Sequence, residues 1–473
     1  MEDLALYAIN QAEGLGIDYA EIRIEKSKNK AIVLKNGNLE ASELTFKLGA
    51  AVRVIANGAL GFSSTNFLDK KHIKEAIETA ASMAKASSKF LKKRINLAKA
   101  KPANEKYQVN QRIKLESIDF TEKLSLLFDV DKHMDSLDRS VKFPTRLFTL
   151  YEVESEKLFM NNEGSKIYSL IPRISFYYVL SAYESSKGVT QRINQIGGSG
   201  GWEIVKDWNL INLIKNEAIT LAKILEKAKK VPSKKLDLIV GSELVGIISH
   251  ESCGHPFEAD RILGREAAQA GESFIKANMV GKRIGSEKVT IVDDPTLQNS
   301  FGYYLYDDEG VKAERRVLIE NGIVKNFLHN RETANEFKTE SNASARAAGY
   351  EYEPIIRMAN TFMLPGNYEF EELVEDIAEG IYIKSFVEWN IDDKRFNQRY
   401  VGLEAYVIEN GKLSDMAKNP IIEITTPSLY MSIDAVGKEL SFNAAICGKG
   451  EPMQGVPVWT GGPEIRLRNI KVY

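Results

Sequence analysis

The chain has 473 residues, more than a single hydrophobic core usually organises, so two or three domains are expected. Its 63 Lys and Arg against 65 Asp and Glu leave a net charge of −2, which gives no electrostatic reason to expect nucleic acid or an anionic membrane as a partner. No apolar run reaches the ~18 residues of a membrane span, the acidic start Met1-Glu2-Asp3-Leu4 resembles neither a signal nor a transit peptide, and with only Cys253 and Cys447 a disulfide framework is excluded, so a cytoplasmic address is expected.

Residues 2–15 place Leu4, Ala5, Ala8, Ile9 and Ala12 on one helical face, and Gly14 and Gly16 end the pattern. Strand-like segments at 20–26 and 30–34 lead to Asn36-Gly37, and one at 48–55 leads to Asn57-Gly58. Asn-Gly tolerates the positive φ of a tight turn, so both read as hairpins. A helical period returns over 70–89, and the basic stretch 85–106 reads as a solvated linker. A helix over about 116–138 and strands near 146–154, 157–160 and 173–182 follow. The glycine-rich run 197–201 lacks the Gly-Lys-Ser/Thr ending of a phosphate loop and reads as a flexible turn.

A helix over about 208–229 precedes Pro232, where the main boundary falls. An N-terminal domain, 1–228 with a sub-boundary near 90–110, is then followed by a C-terminal domain, 232–473. In the latter, 236–240 is a short apolar strand, 243–251 a helix and 369–380 another, while Asn321-Gly322 and Asn410-Gly411 mark hairpins. The fold class is α+β: a helix-and-hairpin region, then a strand-rich domain carrying the helix with the chemistry.

That chemistry is concentrated in Ser249-His250-Glu251-Ser252-Cys253-Gly254-His255, in a chain with only five histidines. Neutral imidazole is a good zinc ligand, and a glutamate beside one ligand can act as general base toward a metal-activated water. The spacing is i,i+5, which on a regular α-helix would separate the rings by ~140°. A π-bulge would realign them, and Gly254 supplies the freedom for one. A third ligand is expected at a catalytic zinc. From the residues alone, Cys447 is equally a thiolate ligand, with Lys449 favouring its ionised form, or a small buried hydrophobe; Cys253 is its competitor. Glu258 and Asp260 read as carboxylates that orient an imidazole.

The chain resembles the TldD/PmbA family of peptidases over essentially its whole length, and its metal-binding TldD branch in particular. The matching residues include 250–260, Asp307-Asp308-Glu309-Gly310, 318–322, 357–366, 405–411, Cys447-Gly-Lys-Gly450 and Gly455-Val-Pro457. The resemblance implies a zinc ion held by His250, His255 and Cys447. It also implies hydrolysis of peptides or unfolded polypeptides within an enclosed dimer, formed by two copies or with a PmbA-like subunit. One departure is Gln454, which follows the Cys-Gly-Lys turn later than in many members.

Glu251 is the expected general base. Arg357, Tyr304 and His329 are the residues weighed as a donor to the oxyanion. Two rival readings stand beside the peptidase: a peptide-binding subunit with a structural metal, and a hydrolase of small amides or dipeptides.

Overall fold

All four Asn-Gly pairs close hairpins. Their asparagines have φ of 48–53° and their glycines 73–77°, the doubly positive φ that a two-residue turn between twisted strands requires. The computed structural model describes residues 1–134, 140–266 and 271–473. Among these, the first half builds a seven-stranded sheet in the order Ala59–Thr65, Asn38–Ala56, Tyr19–Lys35, Lys142–Asn161, Lys166–Glu184, Asn104–Gln108, with Gly188–Ser199 also paired to Lys166–Glu184. The central strands run 17 to 20 residues, so the breaks expected near 27–29 and 155–156 are absent: both stretches stay paired in register.

Two pairs of helices cover this sheet. Glu2–Glu13 and Lys70–Ser87 bury Ala8, Ile77 and Ala80 against Ile22, Ile24 and Val52. Phe120–Met134 and Leu210–Lys227 bury Leu127, Ile214 and Leu221 against Ile32, Leu34, Phe148 and Phe176. The expected helix over 116–138 is thus shorter at its start, and its residues 135–138 lie outside the described residues. The glycine-rich run is not a flexible turn. Gly197 to Ser199 pair with Ser175 to Arg173, and Trp459 Nε1 donates to the Gly197 carbonyl at 2.7 Å, tying the strand to the C-terminal region.

From Lys234 onward the described residues form a nine-stranded sheet, a six-stranded sheet and a two-stranded pair of Ala345–Arg346 with Ile355–Ile356. Lys234–Val240 lies inside the largest one, antiparallel to Ile465–Val472 and parallel to Glu379–Ile383, which is why 236–240 is continuously apolar except at Asp237. The chain then turns into the helix Ser242–Ser249, which lies against the six-stranded sheet. A Cβ at Gly246 would lie 2.9 Å from Gly461 N, so only glycine admits this approach. Two strands of that sheet, Ser441–Lys449 and Gln454–Gly462, form a hairpin beside the helix. The helix expected over 369–380 ends at Glu375, because from Glu379 the chain joins the nine-stranded sheet. No helix among the described residues is long and apolar enough to cross a membrane.

Candidate metal centre

The helix Ser242–Ser249 does not end as an α-helix. From His250 to Gly254 it widens into a π turn, in which the His255 N–H donates to the His250 carbonyl. The wider turn brings the i,i+5 histidines together, with ring centroids 4.9 Å apart and planes at 82°. Gly254 is needed there, since a Cβ would lie 1.8 Å from Sδ of the fully buried Met358.

The hairpin strand Ser441–Lys449 brings the third donor, Cys447, whose Sγ lies 3.5 Å from His255 Nε2. Ligating atoms of His250, His255 and Cys447 all fall within 4.8 Å of one another, and all three residues are buried. Tetrahedral zinc, with N at about 2.0–2.1 Å and S at about 2.3 Å, places those two donors about 3.5 Å apart. His250 Nδ1 is buried without a hydrogen-bond partner among the described residues, a vacancy in bonding that the protein interior rarely leaves. The donor set therefore fits a zinc ion.

Burial pushes both imidazoles below their usual range, against Glu251 and Glu258 at His250 and against Cys447 and Glu258 at His255, which favours the neutral form that keeps a lone pair for a metal. Burial alone would raise the Cys447 thiol, but His255 and Arg357 outweigh it and bring the thiol down to about 7. Lys449, expected to favour the ionised thiol, has its ammonium bonded to other groups. Its ammonium donates to Asp260 Oδ2 at 2.7 Å and to the Ile356 carbonyl at 2.9 Å, and lies 3.3 Å from Glu258 Oε2.

His255 Nδ1 meets Glu258 Oε2 at 3.1 Å, which leaves Nε2 to face Cys447. This is the carboxylate–histidine pairing that orients ligands at zinc sites. Glu258 is fully buried, and although burial raises its carboxyl, Lys449, His255 and Arg261 hold it well below the usual range. Asp260 is tied to Glu258, and so at one remove to the histidine, through Lys449. Cys253 lies in the hydrophobic core outside the three-donor group, its thiol pushed well up by burial.

Glu251, next to His250, is buried, and its Oε2 accepts from Arg395 Nη1 at 2.7 Å. Sequence reasoning missed Arg395. It lies 144 residues away in the polar turn 392–396, which reads as solvated loop, and its non-glycine φ of 62° is visible only in the backbone.

Three family models match the chain: PmbA/TldA metallopeptidase domain 1 over residues 20–84, the central domain over 113–228, and the C-terminal domain over 233–473. The chain belongs to the TldD/PmbA family. Relatives of this family member include a metalloprotease of Methanocaldococcus jannaschii, 36% identical over 452 residues, 95% of this chain and 96% of the relative. A protein of Saccharolobus solfataricus named zinc metalloprotease TldD homolog is 28% identical over 98% of each chain. Among solved structures, TldE from Thermococcus kodakarensis shares the fold, with a TM-score of 0.77 and 19% identity over 99% of each chain.

In this TldD/PmbA member the three residues weighed as oxyanion donors are otherwise engaged. Arg357 donates through Nη1 to the Gln454 carbonyl at 2.7 Å and through Nη2 to the Cys447 carbonyl, so it fixes the hairpin; its Nε has no partner among the described residues, but the side chain is fully enclosed. Tyr304 donates to the Ala343 carbonyl at 2.8 Å. His329 meets Thr333 Oγ1 at 3.1 Å between Phe327 and Phe337, and burial lowers it to about 4. Gln454, the family departure, bridges Ala348 N and the Glu353 carbonyl. A cavity of about 330 Å³ lies where the N-terminal sheet meets the C-terminal region, lined by Lys157, Arg173, Tyr304 and Arg346. None of His250, Glu251, His255 or Cys447 lines it, although Ile446 does.

Proposed function

We propose that the chain is a zinc-dependent peptidase in which His250, His255 and Cys447 hold the ion and Glu251 is the general base. The reading is carried by one observation: the π turn and the hairpin bring two imidazoles and a thiol together beside a buried glutamate. When bound by such a set, zinc lowers the pKa of water toward ~7 and polarises a carbonyl. The remaining work belongs to the chain's own side chains. Arg395 fixes Oε2 of Glu251, while Oε1 has no hydrogen-bond partner among the described residues and takes the proton of the attacking water. Glu251 then passes that proton to the leaving amine. Glu258 holds His255 in the tautomer and orientation that a ligand needs.

The substrate class in this reading is an extended or unfolded peptide. The strand carrying Cys447 is the last of its sheet, and no strand pairs with its outer edge among the described residues. An open edge binds extended chain through backbone hydrogen bonds, which a folded protein has already used. Enclosure of that edge within a dimer, of two copies or with a PmbA-like partner, would also protect it from aggregation.

The test compares wild type with Glu251→Gln for zinc content and for cleavage of a denatured protein. Both should hold about one zinc per chain, because Glu251 is not a ligand, while turnover of the variant should fall ~10²–10⁴-fold. Full wild-type activity in exhaustively chelated, zinc-free protein would refute the metal, and near-normal turnover of the variant would refute the base.

A further inference from the structure

The turn that delivers Arg395 is built to hold one conformation. Asp392 Oδ1 accepts from Phe396 N at 2.7 Å, and its Oδ2 accepts from Asn397 N at 3.1 Å and Asn397 Nδ2 at 2.6 Å. The Arg395 N–H donates to the Asp392 carbonyl at 2.9 Å, and the Arg395 carbonyl accepts from Thr426 Oγ1 at 2.7 Å. Thr426 N donates to the Phe396 carbonyl and Phe274 N to the Lys394 carbonyl, each at 2.8 Å, while the Phe274 and Phe396 rings meet with centroids 5.7 Å apart. These bonds from three segments hold Arg395 at a φ of 62°, in the left-handed region that a side chain with a Cβ disfavours. Strained backbone kept by such over-determined surroundings is a mark of functional sites.

The guanidinium is only partly used. Its side chain is 12% exposed, and Nη1 holds Glu251. Nε is buried without a partner, and Nη2 makes no hydrogen bond among the described residues. Arg316 and Arg357 also bury an Nε without a partner among the described residues, but both are closed off from solvent, whereas Arg395 is partly exposed and holds Glu251. An arginine cannot lose its charge at ordinary pH, so each unused N–H is a permanent donor beside the general base.

We propose that Arg395 is a catalytic residue of the peptidase reaction, its unused guanidinium donors binding the oxygen of the scissile carbonyl as that oxygen gains negative charge. The inference rests on the function proposed above and names the oxyanion donor that Arg357, Tyr304 and His329 do not supply. As the water oxygen bonds to the carbonyl carbon, the π pair moves onto the carbonyl oxygen and the water proton goes to Glu251. Arg395 stays protonated throughout and contributes hydrogen bonds aimed where charge develops.

The experiment measures zinc content and binding of a phosphinic peptide, whose tetrahedral anionic centre imitates the charged stage. The proteins are wild type, Arg395→Met, Glu251→Gln and the double variant. A matching uncleaved peptide is measured in the Glu251→Gln background. Arg395→Met should weaken the phosphinic peptide ~10²–10³-fold, the usual cost of one oxyanion donor. The loss should be of similar size in the Glu251→Gln background, where no effect can pass through the glutamate. Zinc content should not change, and binding of the ordinary peptide should fall less than ~10-fold. Should Arg395→Met fail to fold, Arg395→Lys carries the comparison, keeping the charge but losing the fork, with a smaller loss of the same selectivity. Equal phosphinic-peptide affinity for Glu251→Gln and the double variant would overturn the assignment of Arg395 alone. Zinc-loaded wild type that binds no phosphinic peptide would overturn the peptidase reading and this assignment with it.

Discussion

Glu258→Gln is the sharpest probe of how the centre is held. The substitution keeps volume but removes a charge that is fully buried and touches His255 Nδ1 at 3.1 Å, Arg261 Nε at 2.6 Å and Lys449 Nζ at 3.3 Å. Loss of a partner behind a metal-binding histidine costs ~10–100-fold in metal affinity, or about 1.4–2.7 kcal/mol. Removing one member of a buried ion pair costs about 3–5 kcal/mol of stability, and the lower end applies because Lys449 keeps Asp260 at 2.7 Å. Chelator competition reads the first effect, and urea unfolding of metal-free protein reads the second. Because the folded carboxyl is held well below its usual range, its contribution is complete above about pH 4.5 and is lost as pH falls toward the folded value. The stability gap between wild type and variant should therefore be level above pH 4.5 and close below it. Wild-type zinc affinity and unfolding midpoint in the variant, or a gap that widens in acid, would refute the reasoning.

Two further outcomes follow from burial. His329 titrates near 4 in the folded chain because burial disfavours its charged form, against about 6.5 unfolded, so its contribution is complete above pH 6.5 and declines toward pH 4. The decline is up to about 3 kcal/mol; unfolding midpoints of His329→Gln at pH 4.5 and 7 should differ less than those of wild type, and an equal difference would count against this. Gly254→Ala forces a methyl onto Met358 and should destabilise by about 1–3 kcal/mol. Adding Met358→Ala should cost less than it does in the wild-type background, since the methyl then has room; strict additivity would show that the two do not collide.

Much of this was legible in the residues where the cause is local. The Asn-Gly pairs dictate their own backbone, and the i,i+5 histidines require the π turn that forms at His250–Gly254. What was hidden depends on partners far along the chain. Ser27 to Asn29 looks like a break because its side chains are polar, yet it is paired on both edges by 45–47 and 153–155. Arg357 looks like a free cation until the Cys447 and Gln454 carbonyls, 90 and 97 residues away, close around it. Arg395 was hidden for the same reason, with its carboxylate partner 144 residues distant.

The long central strands have a consequence for how the first half of the molecule comes apart. In Tyr19–Lys35, Ile22 and Ile24 lie under one pair of helices, and Ile32 and Leu34 under the other. The neighbouring strand Lys142–Asn161 is shared in the same way, through Leu158 at one end and Phe148 and Leu150 at the other. The regions matched by the first and central family models thus have separate helical covers but a common floor. Neither cover can be shed without leaving a stretch of the same two strands bare on that side, and residues 20–84 on their own would present 21–35 as an open edge. The two regions should open as one cooperative unit, so that amide protection runs unbroken along these strands instead of stepping down between the covers.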